Sequence, residues 1–231
     1  MVGGLLGITG GTLLSESRLF ALDEKTVVNT PYGPAEVYKT GKAVFVQRHR
    51  SSRNIPPHSI NHKANLWAMK SLGVSEAIGV GSTGSLRKTL KPPAILVPDD
   101  FLQLSDIPTF FDYKIVHLTP ELDEGLRKRI IAAAKKANTN PIAKGVYAQT
   151  RGPRLETKAE VRLLSAFANV VGMTLASEAT LAREIGLPYA MLCSVDNFAN
   201  GLSKEPLDFR KVKGQSVKNS GKIERILKKI I

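Results

Sequence analysis

Short apolar runs alternate with turn-forming clusters along most of the 231 residues. Leu5 to Ile8, Ala43 to Gln47, Ala77 to Val80, Ala94 to Val97, Ile142 to Ala148, Asn169 to Thr174 and Leu187 to Val195 each have the length of a buried strand, and each runs into Gly, Pro or polar residues. Between them lie stretches with apolar residues at helical spacing. These are Ile60 to Leu72 closed by Gly73, Leu122 to Ala137, the run after Thr157 with Val161, Leu163, Leu164 and Phe167, and Glu178 to Ile185 closed by Gly186. The last, Leu207 to Ile231, has Gly214 and Gly221 as weak points. Thr30 to Pro34 is a turn between the extended runs Val27-Val28 and Ala35 to Tyr38. Phe101 to Tyr113 lacks periodicity, carries three Phe and reads as a long loop, a kind more often functional or interfacial than incidental. The alternation predicts an α/β fold with a central sheet. No repeat, linker or boundary divides it, so one domain over residues 1–231 is expected.

The strand ends carry the candidate chemistry. Leu5 to Ile8 feeds Thr9-Gly10-Gly11-Thr12, adjacent glycines and a Thr that can bring N–H groups and a hydroxyl to an anion, although Gly-Gly turns are common. Ala43 to Gln47 delivers Arg48-His49; Arg48 suits a bidentate phosphate contact and equally an edge-of-sheet salt bridge. Ala77 to Val80 feeds a second Gly/Ser/Thr loop, Gly81 to Leu86, with Ser82, and Asn169 to Thr174 ends in a hydroxyl. Gln149 to Glu160 is the stretch the rest is organised around. Gly152-Pro153 breaks a strand, Thr157 and Glu160 form a capping box, and the turn between presents Leu155 and Glu156 where open α/β sheets bind ligands. Glu156 reads equally as a solvated carboxylate at a capped helix start. Leu187 to Val195 delivers Asp196-Asn197-Phe198-Ala199. Thus Thr12, Arg48, Ser82 and Thr174 are anion-friendly, while Glu156 and Asn197 suit an amide-like heterocycle. His117, beside apolar neighbours, reads on its own as a packed residue.

Composition narrows the classes. The net charge of +13 comes from dispersed Lys and Arg, densest from Arg210 to Lys229, without the aromatic interleaving of a single-strand surface. No nucleic acid partner is expected; a basic surface also attracts anionic small molecules. One cysteine, Cys193, precludes a disulfide framework and suits a reducing compartment. No apolar stretch suggests a signal peptide or membrane span, so a cytoplasmic protein without a membrane partner is expected. The four His are scattered without ligand spacing, and no nucleophile elbow appears, so neither a metal nor covalent hydrolysis is expected.

Taken together, Gly10-Gly11-Thr12, Arg48-His49, Ala64-Asn65-Leu66-Trp67-Ala68, Gly152 to Glu160 and Val171-Gly172-Met173-Thr174 resemble the trimeric class of purine nucleoside phosphorylases. Within it they are most similar to the methylthioadenosine and methylthioinosine enzymes, over residues 5–215 in order. The resemblance implies a mixed, partly barrel-like central sheet flanked by helices, where the strand pattern alone leaves a doubly wound sheet open. It implies an oligomer, a trimer or dimer of trimers, and phosphorolysis of a purine nucleoside with inorganic phosphate as co-substrate and no cofactor. Thr12, Arg48, His49, Ser82 and Thr174 would then bind phosphate, and Met173 would lie against the ribose. Leu155, Glu156, Asn197 and Ala199 would meet the base, with Glu156 and Asn197 the catalytic pair. His117 would reach a neighbouring subunit's site. Phe209, where a 5′-hydroxyl-binding His is usual, and Val212 one turn on would bury a 5′-methylthio group.

The implied substrate is S-methyl-5′-thioinosine, cleaved to hypoxanthine and 5-methylthioribose 1-phosphate. Methylthioadenosine, or inosine and guanosine, is the alternative, and a basic nucleoside- or nucleic-acid-binding protein is the non-enzyme reading. Three positions depart from the family pattern. Leu155 replaces a stacked Phe, Arg53 replaces a His, and Ser177 replaces a Pro with little expected consequence.

Overall fold

The computed structural model describes residues 4–11, 13–14, 19, 24–49, 55–203 and 209–231, with the backbone alone at 24, 209–213 and 217. Among these described residues ten strands form one mixed sheet, and five α-helices flank it. The strands are β1 (Leu5–Gly10), β2 (Glu24–Thr30), β3 (Gly33–Thr40), β4 (Ala43–Gln47), β5 (Val74–Ser85), β6 (Ala94–Leu96), β7 (Asp100–Gln103), β8 (Val146–Gln149), β9 (Val170–Gly172) and β10 (Tyr189–Phe198). The helices are α1 (His62–Ser71), α2 (Glu124–Lys136), α3 (Lys158–Phe167), α4 (Leu175–Glu184) and α5 (Phe209–Leu227).

β5 is the hub. Its first part lies parallel between β1 and β10, and its last two residues pair antiparallel with β9. β9 continues through β8 to β7, while β10 pairs with β6. A bridge between Leu96 and Ile142 ties β6 to the approach of β8. The circuit β5–β9–β8–β6–β10 therefore closes on itself, the partly barrel-like sheet that the resemblance implies, and a doubly wound open sheet is set aside.

Alternation along the strands explains the layers. Leu6 and Ile8 point to one face, where they join Leu126, Ile130, Ile223 and Ile226 of α2 and α5. The other face holds Leu66 and Met69 of α1 with Leu175, Ala179 and Leu181 of α4. α3 covers a third cluster with Val161 and Leu164 against Ala148 and Val171. Its start is the expected capping box: the Thr157 hydroxyl accepts from the Glu160 N–H (3.2 Å) and the Glu160 carboxylate from the Thr157 N–H (2.7 Å).

Two expectations fail for physical reasons. Gly81 to Leu86 reads as a loop, yet through Ser85 it is the end of β5, because pairing to β10 and β9 overrides weak strand propensity. Phe101 to Tyr113 is not all loop, since Asp100–Gln103 pairs parallel with β8 before the irregular segment begins. No helix among the described residues is long and apolar enough to cross a membrane.

Candidate active site

The ends of β1, β4, β5, β9 and β10, with the turn after β8, converge on a cavity of about 230 Å³. Arg48, His49, Ser82, Leu155, Glu156, Met173, Thr174, Asn197 and Ala199 all line it. Residues that the sequence scatters over more than 150 positions thus meet because the strands carrying them sit side by side. Thr12 and Arg53 lie outside the described residues, as do the side chains of Phe209 and Val212. His117 is exposed and absent from the cavity of its own chain, so it is not the packed residue its neighbours suggest.

At one end the groups form an anion-friendly corner. Arg48 is almost fully buried and spends four of its five N–H groups inside the protein. Nε and Nη2 grip Glu178 at 2.6 and 3.0 Å, Nη2 also donates to the Thr9 hydroxyl (3.0 Å), and Nη1 to the Val80 carbonyl (3.1 Å). The surface salt bridge is thus excluded, and so is a bidentate contact with a ligand through the Nε edge. One N–H remains, on Nη1, which lies 3.3 Å from where a side chain on Gly11 would begin. Burial opposes both charges, but the pairing prevails: Glu178 is held well below the usual carboxylate range and Arg48 is raised.

His49 has a fixed tautomer. Its Nδ1 lies 2.7 Å from the Ile55 carbonyl, which can only accept, so Nδ1 carries the proton and Nε2 is a bare acceptor. Burial pushes the ring below its usual pKa; the Ile55 contact opposes this and Arg48 adds to it. The Ser82 hydroxyl gives its proton to Asp196 (2.5 Å) and so turns lone pairs, not a donor, to the cavity. Thr174 is the residue before α4, yet its hydroxyl makes no helix-capping bond.

At the other end, the Glu156 carboxylate is nearly buried and one oxygen accepts from the Thr150 hydroxyl at 2.6 Å. Asn200 donates to the Glu156 carbonyl (3.1 Å), pinning the turn. Asp196 is the extra residue in a bulge of β10 between Val195 and Asn197. It is buried and takes hydrogen bonds from Ser82, Ser194 and Asn219, so Asn197 and not Asp196 faces the cavity. Glu156 also borders a second cavity, about 350 Å³, lined by Leu102, Leu104, Arg151 and Leu163.

Several functional partners escape the sequence reading. Glu178 had a visible signal: it is the one carboxylate within the small apolar face of α4 formed by Leu175, Ala176, Ala179 and Ala182. Thr150, Tyr147 and Gln149 had none, since their roles depend on strand pairing. Ser177, where little consequence is expected, bonds Gln149 twice. Its N–H donates to Gln149 Oε1 (3.1 Å) and its hydroxyl accepts from Gln149 Nε2 (2.5 Å).

A guanidinium and hydroxyl corner thus faces a carboxylate–amide pair across one cavity at the strand ends of a mixed α/β sheet, where such folds commonly bind ligands. The family model of the phosphorylase superfamily matches residues 5–231, and the chain belongs to that superfamily. A protein of Archaeoglobus fulgidus named "Probable 6-oxopurine nucleoside phosphorylase" is 41% identical over 233 residues, covering 98% of this chain and 96% of its own. One of Methanocaldococcus jannaschii named "Probable S-methyl-5'-thioinosine phosphorylase" is 37% identical over 238 residues, covering 98% and 92%. Among solved structures, methylthioadenosine phosphorylase from Schistosoma mansoni in complex with adenine has a TM-score of 0.87 at 27% identity, over 97% of this chain and 89% of that one. The resemblance drawn from the motifs is borne out.

Proposed function

We propose that this chain is a purine nucleoside phosphorylase acting on 5′-methylthio nucleosides, with S-methyl-5′-thioinosine preferred. An oxygen of inorganic phosphate bonds to C1′ as the C1′–N9 bond breaks. The purine leaves with the electron pair and takes up a proton at N7, matched by the proton that phosphate loses on becoming an ester, giving hypoxanthine and 5-methylthioribose 1-phosphate. The transition state carries positive charge on the ribose and negative charge on the purine, so the protein must hold an anion at one face and stabilise the base at the other.

Arg48, His49 and Thr174 supply the phosphate end, with Thr12 and Ser82 as expected neighbours. Nη1 of Arg48 donates, Nε2 of His49 accepts from a P–OH, and the Thr174 hydroxyl is free to do either. Met173 lies against the ribose. Glu156 can only accept, which matches N1–H of a 6-oxopurine, and Asn197 can donate to O6 and accept from N7–H. The observation that carries the base preference is the burial of Asp196 among three donors, which leaves the amide of Asn197 as the group at the cavity. Phe209 and Val212 are the proposed cover for the methylthio group.

The active species is an oligomer, a trimer or a dimer of trimers, in the cytoplasm. Leu104, Ile107, Tyr113, Ile115, Val116 and Leu118 leave an apolar surface on the segment that carries His117, as a subunit contact would need. His117 then completes a neighbour's site. Phosphate is the co-substrate and no cofactor is required. The names of the relatives also admit methylthioadenosine, inosine and guanosine, and a phosphate site argues against a mere nucleoside-binding protein. Release of free purine from methylthioinosine, methylthioadenosine, inosine and guanosine, with and without phosphate, tests the reading. Phosphate-independent or absent release would refute it.

A further inference from the structure

The start of α4 is capped by a neighbouring strand. An α-helix begins with N–H groups that have no partner in the helix, and a Ser, Thr, Asn or Asp before the first turn ordinarily satisfies one of them. Thr174 stands in that position and does not cap. Instead the Tyr147 hydroxyl accepts from the N–H of Thr174 (3.1 Å) and of Leu175 (3.2 Å). Gln149 Oε1 accepts from the N–H of Ala176 (2.8 Å) and of Ser177 (3.1 Å).

The two acceptors that take these four N–H groups stand on one face of β8, because alternate residues of a strand point the same way. Gly172 makes room, since a Cβ there would lie 2.5 Å from the Tyr147 hydroxyl. The Gln149 amide is oriented by Ser177, whose hydroxyl takes the Nε2 proton and so turns Oε1 to the helix. A Pro at 177 would offer neither that hydroxyl nor an N–H.

We infer that Tyr147 and Gln149 are positioning residues that cap α4 in trans and thereby release the Thr174 hydroxyl to the cavity. This rests on the proposed phosphate role of Thr174. A helix start is normally an anion site through its N–H groups. Here those groups are saturated by β8, so the anion gains the hydroxyl of Thr174 and not the backbone of α4. With the cap removed, the freed N–H groups compete for that hydroxyl and it turns from the cavity. The same strand runs on into Thr150, which holds Glu156, so β8 sets the phosphate and base ends in one register.

The test is steady-state kinetics with phosphate and nucleoside varied separately, in Thr174→Val, Tyr147→Phe, Gln149→Met and Gln149→Glu. Thr174→Val should raise the phosphate KM at least tenfold. Tyr147→Phe and Gln149→Met should each raise it three- to tenfold, with the nucleoside KM within twofold of the parent. Gln149→Glu keeps an acceptor and should recover most of the loss in Gln149→Met. If Thr174→Val raises the phosphate KM but the cap variants change only melting temperature, or both KM values alike, Tyr147 and Gln149 are merely structural and the inference falls alone. If Thr174→Val leaves the phosphate KM unchanged, the phosphate role of Thr174 fails and the inference falls with it. Should Tyr147→Phe not fold, the two Gln149 variants decide.

Discussion

Arg48 lies edge-on against Glu178, Nε to Oε1 at 2.6 Å and Nη2 to Oε2 at 3.0 Å, with both side chains out of water. The hydroxyls of Thr9 (2.6 Å) and Tyr189 (2.7 Å) donate to the same carboxylate, and His62 Nδ1 stands 3.5 Å away. A guanidinium held so firmly keeps the one remaining N–H of Nη1 at a fixed point of the cavity wall. The pair therefore orients the proposed phosphate corner, and burial is what gives it weight, since an exposed pair would contribute little.

Removing one partner leaves an uncompensated buried charge. Glu178→Leu should lower stability by about 3–5 kcal/mol in urea titrations, and the double variant Arg48→Met/Glu178→Leu should recover much of it. A loss below about 1 kcal/mol in the single variant would show the pair to be dispensable. The pH dependence has a definite sign. Glu178 is depressed in the folded state, so its contribution is complete above the unfolded value of about 4.3 and is lost as pH falls toward its folded pKa. Acid unfolding should accordingly be shallower in Glu178→Gln.

His49 gives a second pH signature. With Nδ1–H on Ile55 and the ring below its usual pKa, Nε2 should be unprotonated at pH 7. The folded state then binds fewer protons than the unfolded one, so this term weakens stability as pH falls below about 6.5. Nitrogen-detected NMR should find the Nδ1–H tautomer for His49, titrating below the ordinary histidine value. A midpoint at or above that value would remove Nε2 as an acceptor for phosphate.

How legible this was in the sequence varies by residue. β1, β4 and the start of β10 were plain, because their apolar runs are uninterrupted and end in Gly or polar residues. β5 was half seen: Ala77 to Val80 is apolar, but Gly81 to Ser85 is strand only because two neighbours pair with it. Arg48 stands out at the end of an apolar run but its partner does not, since Glu178 is 130 positions away and only the fold brings them together. Asp196 and Asn197 could not be separated by alternation alone. The bulge that gives β10 one extra residue there has no mark in the sequence, and it is what lets Asp196 bond inward while Asn197 meets the cavity.

Gly152 brings the turn against Met173, the proposed ribose contact. Its φ is +68°, a region that costs an L-residue about 1–2 kcal/mol, and a Cβ there would sit 2.5 Å from Met173 Sδ. Met173 is flexible, so it would move and not block folding. Gly152→Ala should raise the nucleoside KM while leaving that for phosphate near the parent value, with a modest fall in melting temperature. Equal rises in both would mean that the turn, and not Met173, had been displaced.

The proposed base preference rests on which groups are already engaged. One oxygen of Glu156 takes the Thr150 proton, so the carboxylate presents its remaining lone pairs in a fixed direction. Lone pairs attract N1–H of hypoxanthine and repel the bare N1 of adenine. The Asn197 amide donates to the carbonyl next along its own chain (Phe198 O, 2.9 Å), a weak tether that a ligand acceptor can replace. A carboxylate in its place would favour the 6-amino group of adenine, and the carboxylate next along the strand, Asp196, is occupied by Ser82, Ser194 and Asn219. Sites that leave buried polar groups mispaired discriminate by orders of magnitude, so methylthioinosine should be cleaved far more efficiently than methylthioadenosine. Asn197→Asp should weaken methylthioinosine cleavage and narrow the ratio of kcat/KM between the two substrates. Thr150→Val should act in the same sense more mildly, by freeing Glu156 to rotate. Parity of the two substrates in the parent protein, or an unchanged ratio in Asn197→Asp, would take Asn197 out of base reading and return the choice to the adenine-type enzymes.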